Sequence, residues 1–310
     1  MSARDENGVL HGKVVLVTGA GGGIGKACAL LAAAQGASVV VNDLGVDVSG
    51  AGGDAGPAQT TVAEIEAAGG TAVANTGSVT SRTDADAMVR QAVETFGGLH
   101  AVINPAGFLR DAMFHKMDPA DWDAVVDVHL GGAFNICRAA VGRFRDQGEG
   151  AFVLFSSTSG LIGNVGQANY GAAKMGVAGL SRILAMEGAL KGVRSNVVTP
   201  FAWTRMVGTI PLAGDAADAF IAKMKQSMRP DQVAQLAVAL ASSATASVTG
   251  QVFVTRGNEI TLMSQPRPLV SAVEPQGWTP RSIAERALPS MAEQFYPLAN
   301  HMSFFAGDPA

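Results

Sequence analysis

Tyr170 and Lys174 stand four residues apart in a stretch, Ala168–Leu190, whose composition predicts a helix, so the two side chains share a face. A lone phenol titrates near pH ~10, and a cation beside it stabilises the phenolate and lowers that value. Such a pair can move a proton to and from an alcohol near neutrality. The same spacing also arises by chance on helices. Weight comes from a small hydroxyl cluster, Ser156-Ser157-Thr158-Ser159, that ends a predicted strand, with Ser157 thirteen residues before Tyr170.

A second constellation lies near the N-terminus. Thr18-Gly19-Ala20-Gly21-Gly22-Gly23-Ile24-Gly25 separates a predicted strand from a predicted helix. Glycines there let the backbone approach a pyrophosphate, which then sits at the positive end of the helix. A tight turn without ligand is the plainer reading. Asp43 follows eighteen positions after Gly25, at the end of the second predicted strand. That is close to the spacing of about 20 for a carboxylate that hydrogen-bonds an adenosine ribose. Leu44 comes next, so no adjacent cation awaits a 2′-phosphate, and NAD is expected over NADP. A solvated turn aspartate is the alternative.

The elements that must position these groups alternate regularly. Short β-branched or apolar runs at Val14–Val17, Ser38–Asn42, Thr71–Ala74, Ala101–Asn104, Ala151–Phe155, Val193–Val198 and Gln251–Thr255 predict strands. Helical segments intervene, among them Ile24–Gln35, Asp84–Phe96, Asp121–Arg145 and Ala168–Leu190. This implies parallel βαβ units in a doubly wound, Rossmann-type α/β sheet with helices on both faces. Gly45–Pro57 is expected as a loop. A single domain over residues 1–257 carries an extension, residues 258–310, with one predicted helix from Thr279–Pro280 to about Phe295.

Composition narrows the function. With 48% hydrophobic and 15% charged residues, the 310-residue chain can bury a large core. A net charge of −4 without a basic run argues against a nucleic-acid partner. Five scattered histidines show no ligand spacing, so no metal is expected; Cys28 and Cys137 fall in predicted helices and are expected as buried reduced thiols. Ala151–Ala173 and Gln232–Thr255 lack charge, but Ser, Thr, Gly, Gln and Asn interrupt both, so neither is expected to span a membrane. Met1–Gly12 is polar, and a cytoplasmic protein is expected.

Over about Gly12–Gly257 the chain resembles the short-chain dehydrogenase/reductase family. The resemblance rests on TGAGGGIG from Thr18, NPAG from Asn104, Ser157 with Tyr170-x-x-x-Lys174, and Asn196-x-x-x-Pro200. It implies a hydride transfer between nicotinamide and a secondary alcohol or ketone. Tyr170 would be the general acid/base, Lys174 would lower its pKa and hold the nicotinamide ribose, and Ser157 would hydrogen-bond the substrate oxygen. Gly19, Gly22, Gly23, Ile24, Gly25, Asp43, Leu44, Ser78, Val79, Asn104, Ala106, Gly107, Pro200 and Ala202 would contact the cofactor. There are departures: Pro105 replaces a family asparagine, Ser78 an aspartate, Phe201 a glycine, and His129 the asparagine that supports a water relay to the lysine. His129 can donate and accept, or simply pack in its helix.

Asn42-Asp43-Leu44-Gly45, the long glycine-rich loop, Val128-His129-Leu130 and Gly163–Tyr170 further resemble the (3R)-hydroxyacyl-CoA dehydrogenase domains of type 2 peroxisomal multifunctional enzymes, also called 17β-hydroxysteroid dehydrogenase type 4, and their bacterial stand-alone relatives. That resemblance implies a 3-hydroxyacyl-CoA substrate, fatty or steroid, and a homodimer or homotetramer paired through Asp121–Arg145 and Ala168–Leu190. Trp203, Met206, Ile210, Leu212, Phe220, Met224 and Met228 could form an apolar lid or an ordinary helix core; Arg110, Lys116 and Arg205 are candidate phosphate partners. A free-alcohol ketoreductase and an NAD-binding sensor without turnover remain open.

Overall fold

The computed structural model describes residues 8–47, 50, 52–203, 222, 224–300 and 303–305. The strands form where the β-branched runs fall: β1 Val14–Val17, β2 Ser38–Asn42, β3 Thr71–Asn75, β4 Ala101–Asn104, β5 Gly150–Phe155, β6 Val193–Phe201 and β7 Val252–Arg256. They make one sheet in the order β3-β2-β1-β4-β5-β6-β7, parallel throughout. An eighth strand, β8 Glu259–Leu262, closes the far edge antiparallel to β7. Sequence reading missed β8: the expected division after Gly257 falls inside the tight Gly257–Asn258 turn of that hairpin, so the sheet continues into the segment taken as an extension.

Helices cover both faces. On one, α1 Gly23–Ala34, α2 Gly56–Ala67 and α8 Pro230–Ala241 close a core around Val15, Val39, Val153 and Val198. On the other, α3 Arg82–Phe96, α5 Gly132–Gln147 and α7 Ala168–Gly188 pack on Leu16, Val102, Phe152 and Leu154. Every β1, β4 and β5 residue is buried, which is why these strands read as continuous apolar runs. Helix α2 begins inside the stretch expected as loop; Pro57 occupies its first turn, where a missing N–H costs nothing.

Two details position the site. Helix α4 Pro119–Val126 passes into α5 through a wide π turn, Asp127–Gly131, that carries His129. The whole run, Pro119–Gln147, is the one described helix long and apolar enough to cross a bilayer, and here it packs on α3, α7 and the sheet. Between β5 and α7 a short helix, α6 Thr158–Leu161, is capped by Ser157. Ala151–Ala173 and Gln232–Thr255 each break into strand and helix. Cys28 and Cys137 are buried and unpaired. The tail helix runs from Pro280 to Gln294 in α, π and 3-10 turns behind a Thr279 cap.

Candidate active site

Successive strands run outward from β1 to β3, and β4 then returns to the other side of β1. At such a reversal two loops leave the carboxyl edge in opposite directions and open a crevice. A cavity of about 540 Å³ lies there. Its floor is the glycine turn after β1 and Pro105-Ala106-Gly107 after β4. Thr18 Oγ1 donates to Asn104 Oδ1 at 2.6 Å and accepts from the Ala106 N–H at 3.4 Å, tying the two turns together.

The glycines are demanded by contact. Gly19 has φ +58°, and a Cβ there would stand 2.8 Å from Ala106 Cα; a Cβ on Gly25 would meet the Gly19 carbonyl oxygen at 2.1 Å. Gly22 caps α1 without a side chain, and the first turn holds no acidic residue. The helix therefore turns unspent N–H groups toward the cavity, and a dinucleotide pyrophosphate suits them. Asp43 stands at the rim, with Oδ2 accepting the Gly21 N–H and Oδ1 the Gly45 N–H, both at 2.7 Å. Those bonds fix the carboxylate and leave lone pairs for a ribose hydroxyl. Gly19, Gly22, Gly23, Ile24, Gly25, Asp43, Leu44, Ser78, Val79, Ala106, Gly107, Pro200 and Ala202 all line the cavity. Asn104 does not. It is the buried brace just described, and Pro105 takes its place in the wall. These residues fit a nicotinamide dinucleotide.

Tyr170 and Lys174 line the other end on the first turns of α7. Strand β5 holds that helix down. Ser156 Oγ donates to the Lys174 carbonyl at 2.7 Å, and Lys174 Nζ donates to the Phe155 carbonyl at 2.9 Å. Asn169, buried, positions Tyr170 from behind: its Oδ1 accepts the Tyr170 N–H, and its Nδ2 donates to the Arg110 and Asp121 carbonyls. Ser157 is not part of the cavity wall, yet it hydrogen-bonds the Tyr170 hydroxyl.

The electrostatics differ from the expectation that Lys174 lowers Tyr170. Burial pushes the Tyr170 phenol up to about 12; the Ser157 hydrogen bond pulls it down, and the Asp111 carboxylate adds to the rise. Lys174 is itself drawn down to about 7 by burial. Only partly charged near neutrality, with Nζ turned to the Phe155 carbonyl and 5.5 Å from the Tyr170 ring centre, it is a weak field source for the phenolate. Sequence reading met Asp111 only within the Arg110-Asp111 pair of the resemblance and gave it no role in the site. Burial raises its pKa, and Gln167 Nε2 donates to it at 2.7 Å across the Ala112–Gln167 bridge.

His129 reaches the cavity because the π turn widens the helix there. Its Nε2 is 2.8 Å from the Phe108 carbonyl, and burial and Lys174 hold its pKa well below the usual histidine range. The neutral ring therefore donates from Nε2 and leaves Nδ1 as a buried acceptor without a partner among the described residues. It packs edge-on against Tyr170, 5.1 Å between centroids, and fills the space a Gly107 Cβ would need. Among the phosphate candidates, Arg110 lines the cavity and pairs with Asp121 at 3.1 Å, and Lys116 is exposed; Arg205, with Met206, Ile210, Leu212 and Phe220 of the expected lid, lies outside the described residues.

This arrangement, a glycine cradle facing a serine–tyrosine–lysine group across one crevice, agrees with a family model described as short chain dehydrogenase, which matches residues 13–211. The chain belongs to the short-chain dehydrogenase family. It is an oxidoreductase of that family, acting on CH–OH groups. The enzyme is 41% identical over 269 residues to the hydroxyacyl-CoA dehydrogenase ChsB1 of Mycobacterium tuberculosis, covering 83% of this chain and 81% of that one. It is 44% identical over 225 residues to the peroxisomal multifunctional enzyme type 2 of Mus musculus, covering 73% of this chain but only 29% of the mouse protein. A solved short chain dehydrogenase from Mycobacterium avium superposes with a TM-score of 0.80 at 37% identity, over 94% of this chain and 99% of that one.

Proposed function

We propose that the enzyme oxidises a 3-hydroxyacyl-CoA to the 3-ketoacyl-CoA with NAD. The observation that carries the chemistry is the meeting of Ser157, Tyr170 and Lys174 at the end of a crevice whose other end is a glycine cradle. A nicotinamide held by the cradle would supply the acceptor for the carbinol hydride. The chain's own residues handle the proton. The Tyr170 phenolate takes it from the substrate hydroxyl, and Ser157 hydrogen-bonds the tyrosine oxygen, while Lys174 stands buried beside the ring. Preference for NAD follows from the cradle's rim. Asp43 lines it just past the end of β2, and Arg110 and Lys174, cations that line the cavity, belong to other segments. A carboxylate there repels a 2′-phosphate.

The acyl-CoA class is supported by the relatives named hydroxyacyl-CoA dehydrogenase and multifunctional enzyme. A free-alcohol ketoreductase uses the same residues and is the second reading; a relative named 3-oxoacyl-[acyl-carrier-protein] reductase, at 36% identity, keeps the thioester carrier open. Exposed Met175, Ile183 and Met186 on α7 and Phe134 on α5 support a homo-oligomer built on these helices. The test is NADH formation at 340 nm across short, long and steroid-side-chain (3R)-hydroxyacyl-CoAs, their (3S) isomers and free secondary alcohols. Turnover of a (3R) thioester with NAD well above NADP is the expected result. Activity confined to free alcohols would overturn the thioester assignment.

A further inference from the structure

The far end of the chain returns to the site. Beyond β8 the tail buries little of itself: Leu269, Val273, Tyr296 and Leu298 are all exposed. Yet Phe305 is turned inward, while its neighbour Phe304 stays 60% exposed. The Phe305 ring lies on Phe201, with centroids 5.0 Å apart. Arg256, buried at the end of β7, donates from Nη1 to the Phe305 carbonyl, forty-nine residues on, and holds its guanidinium 5.9 Å from the Phe305 ring. Glu259 accepts from Arg256 Nε at 3.3 Å and steadies the anchor. Bringing such distant segments together costs loop-closure entropy, so these contacts must outweigh it.

The place of that contact follows from strand alternation. Ser195 on β6 hydrogen-bonds Ser181 of α7 at 2.8 Å, so the odd positions of β6 face α7; Val198 and Ala202 belong to the opposite core. Phe201 thus leaves the carboxyl end of β6 on the side of α7, whose first turn carries Tyr170, whereas its neighbours Pro200 and Ala202 line the cofactor crevice. A substrate oxygen that meets Tyr170 must lie on this same side. The carbon chain it carries then runs past whatever projects from β6 there.

We infer that Phe305, packed at a tilt against Phe201 and held by Arg256, forms the apolar wall for the substrate's carbon chain, so that Phe305 sets chain-length preference. This rests on the dehydrogenase reading above. Phe305 and Phe201 bind the chain; Arg256 is a positioning residue acting through Phe305. The probes are two series of matched length, (3R)-hydroxyacyl-CoAs and free secondary alcohols, each run with wild type, Phe305→Ala, Phe305→Leu and Arg256→Met, alongside a fluorescence titration with NADH. In Phe305→Ala, kcat/KM for the long members should fall about tenfold, through KM, the loss expected when an aromatic contact is removed. The shortest members and NADH affinity should change less than about twofold, Phe305→Leu should recover most of the loss, and Arg256→Met should reproduce its length dependence. Equal losses on short and long members, or none on either, would overturn the wall. If only the alcohol series is turned over and it shows the length effect, the wall stands and the thioester reading fails. If neither series is turned over by wild type, both fail.

Discussion

The two ends of the crevice are built on opposite principles. The cradle end, from β1 to β4, works through missing side chains: Gly19 and Gly25 have no room for a Cβ, and the binding groups are backbone N–H donors with one fixed carboxylate. The catalytic end, from β5 to α7, works through side chains whose charge is displaced by burial, Tyr170 upward and Lys174 downward. A cradle of backbone is insensitive to pH and intolerant of bulk. A group of buried titratable side chains tolerates isosteric change structurally but not chemically.

The contrast can be broken or sharpened by substitution. The largest effect should come from Gly25→Val, which drives two methyl groups toward the Gly19 carbonyl; NADH titration should show cofactor binding lost, and thermal unfolding should show a destabilisation of at least about 1–3 kcal/mol. Retained binding would mean the cradle is not the dinucleotide site. Asp43→Ser comes next. Loss of a charge-assisted bond worth about 1.5–3 kcal/mol should raise the KM for NAD about ten- to a hundredfold and narrow its advantage over NADP. Unchanged cofactor preference in steady-state rates would remove Asp43 from that role.

The smallest expected effect is electrostatic. Asp111 raises the Tyr170 pKa, so Asp111→Asn should lower it. Oxidation requires the phenolate, so the rising limb of kcat/KM against pH should move to lower pH, by less than about one unit for a partly exposed charge. A shift toward higher pH would contradict the assignment.

Much of this was legible in the sequence, for reasons that differ along the chain. Strands buried on both faces read as unbroken apolar runs, and the glycine turn and the Tyr170–Lys174 spacing are local signals. The start of helix α2 reads as loop because a glycine-rich stretch runs up to Pro57, the residue that marks its first turn. Strand β8 was missed because its exposed edge carries the mixed composition of a tail, with Ile260 and Leu262 open to solvent. In the site, the fault was electrostatic. The spacing of Tyr170 and Lys174 carries no information on burial, which depends on β5, α4 and the loop through Asp111, so the direction of the tyrosine shift could not be read from it. Asn104 was placed in the wall from its motif; its bond to Thr18 is a tertiary contact between residues eighty-six positions apart.

The most direct test of the account is Tyr170→Phe, assayed for turnover and for NADH binding in the same preparation. The substitution removes one oxygen and leaves the ring against His129, so the fold and the cradle should be undisturbed. Turnover should fall about a thousandfold, within the range for loss of a general acid/base, while the dissociation constant for NADH stays within about twofold. Turnover close to wild type, or cofactor affinity lost in parallel with it, would contradict the division of labour between the two ends.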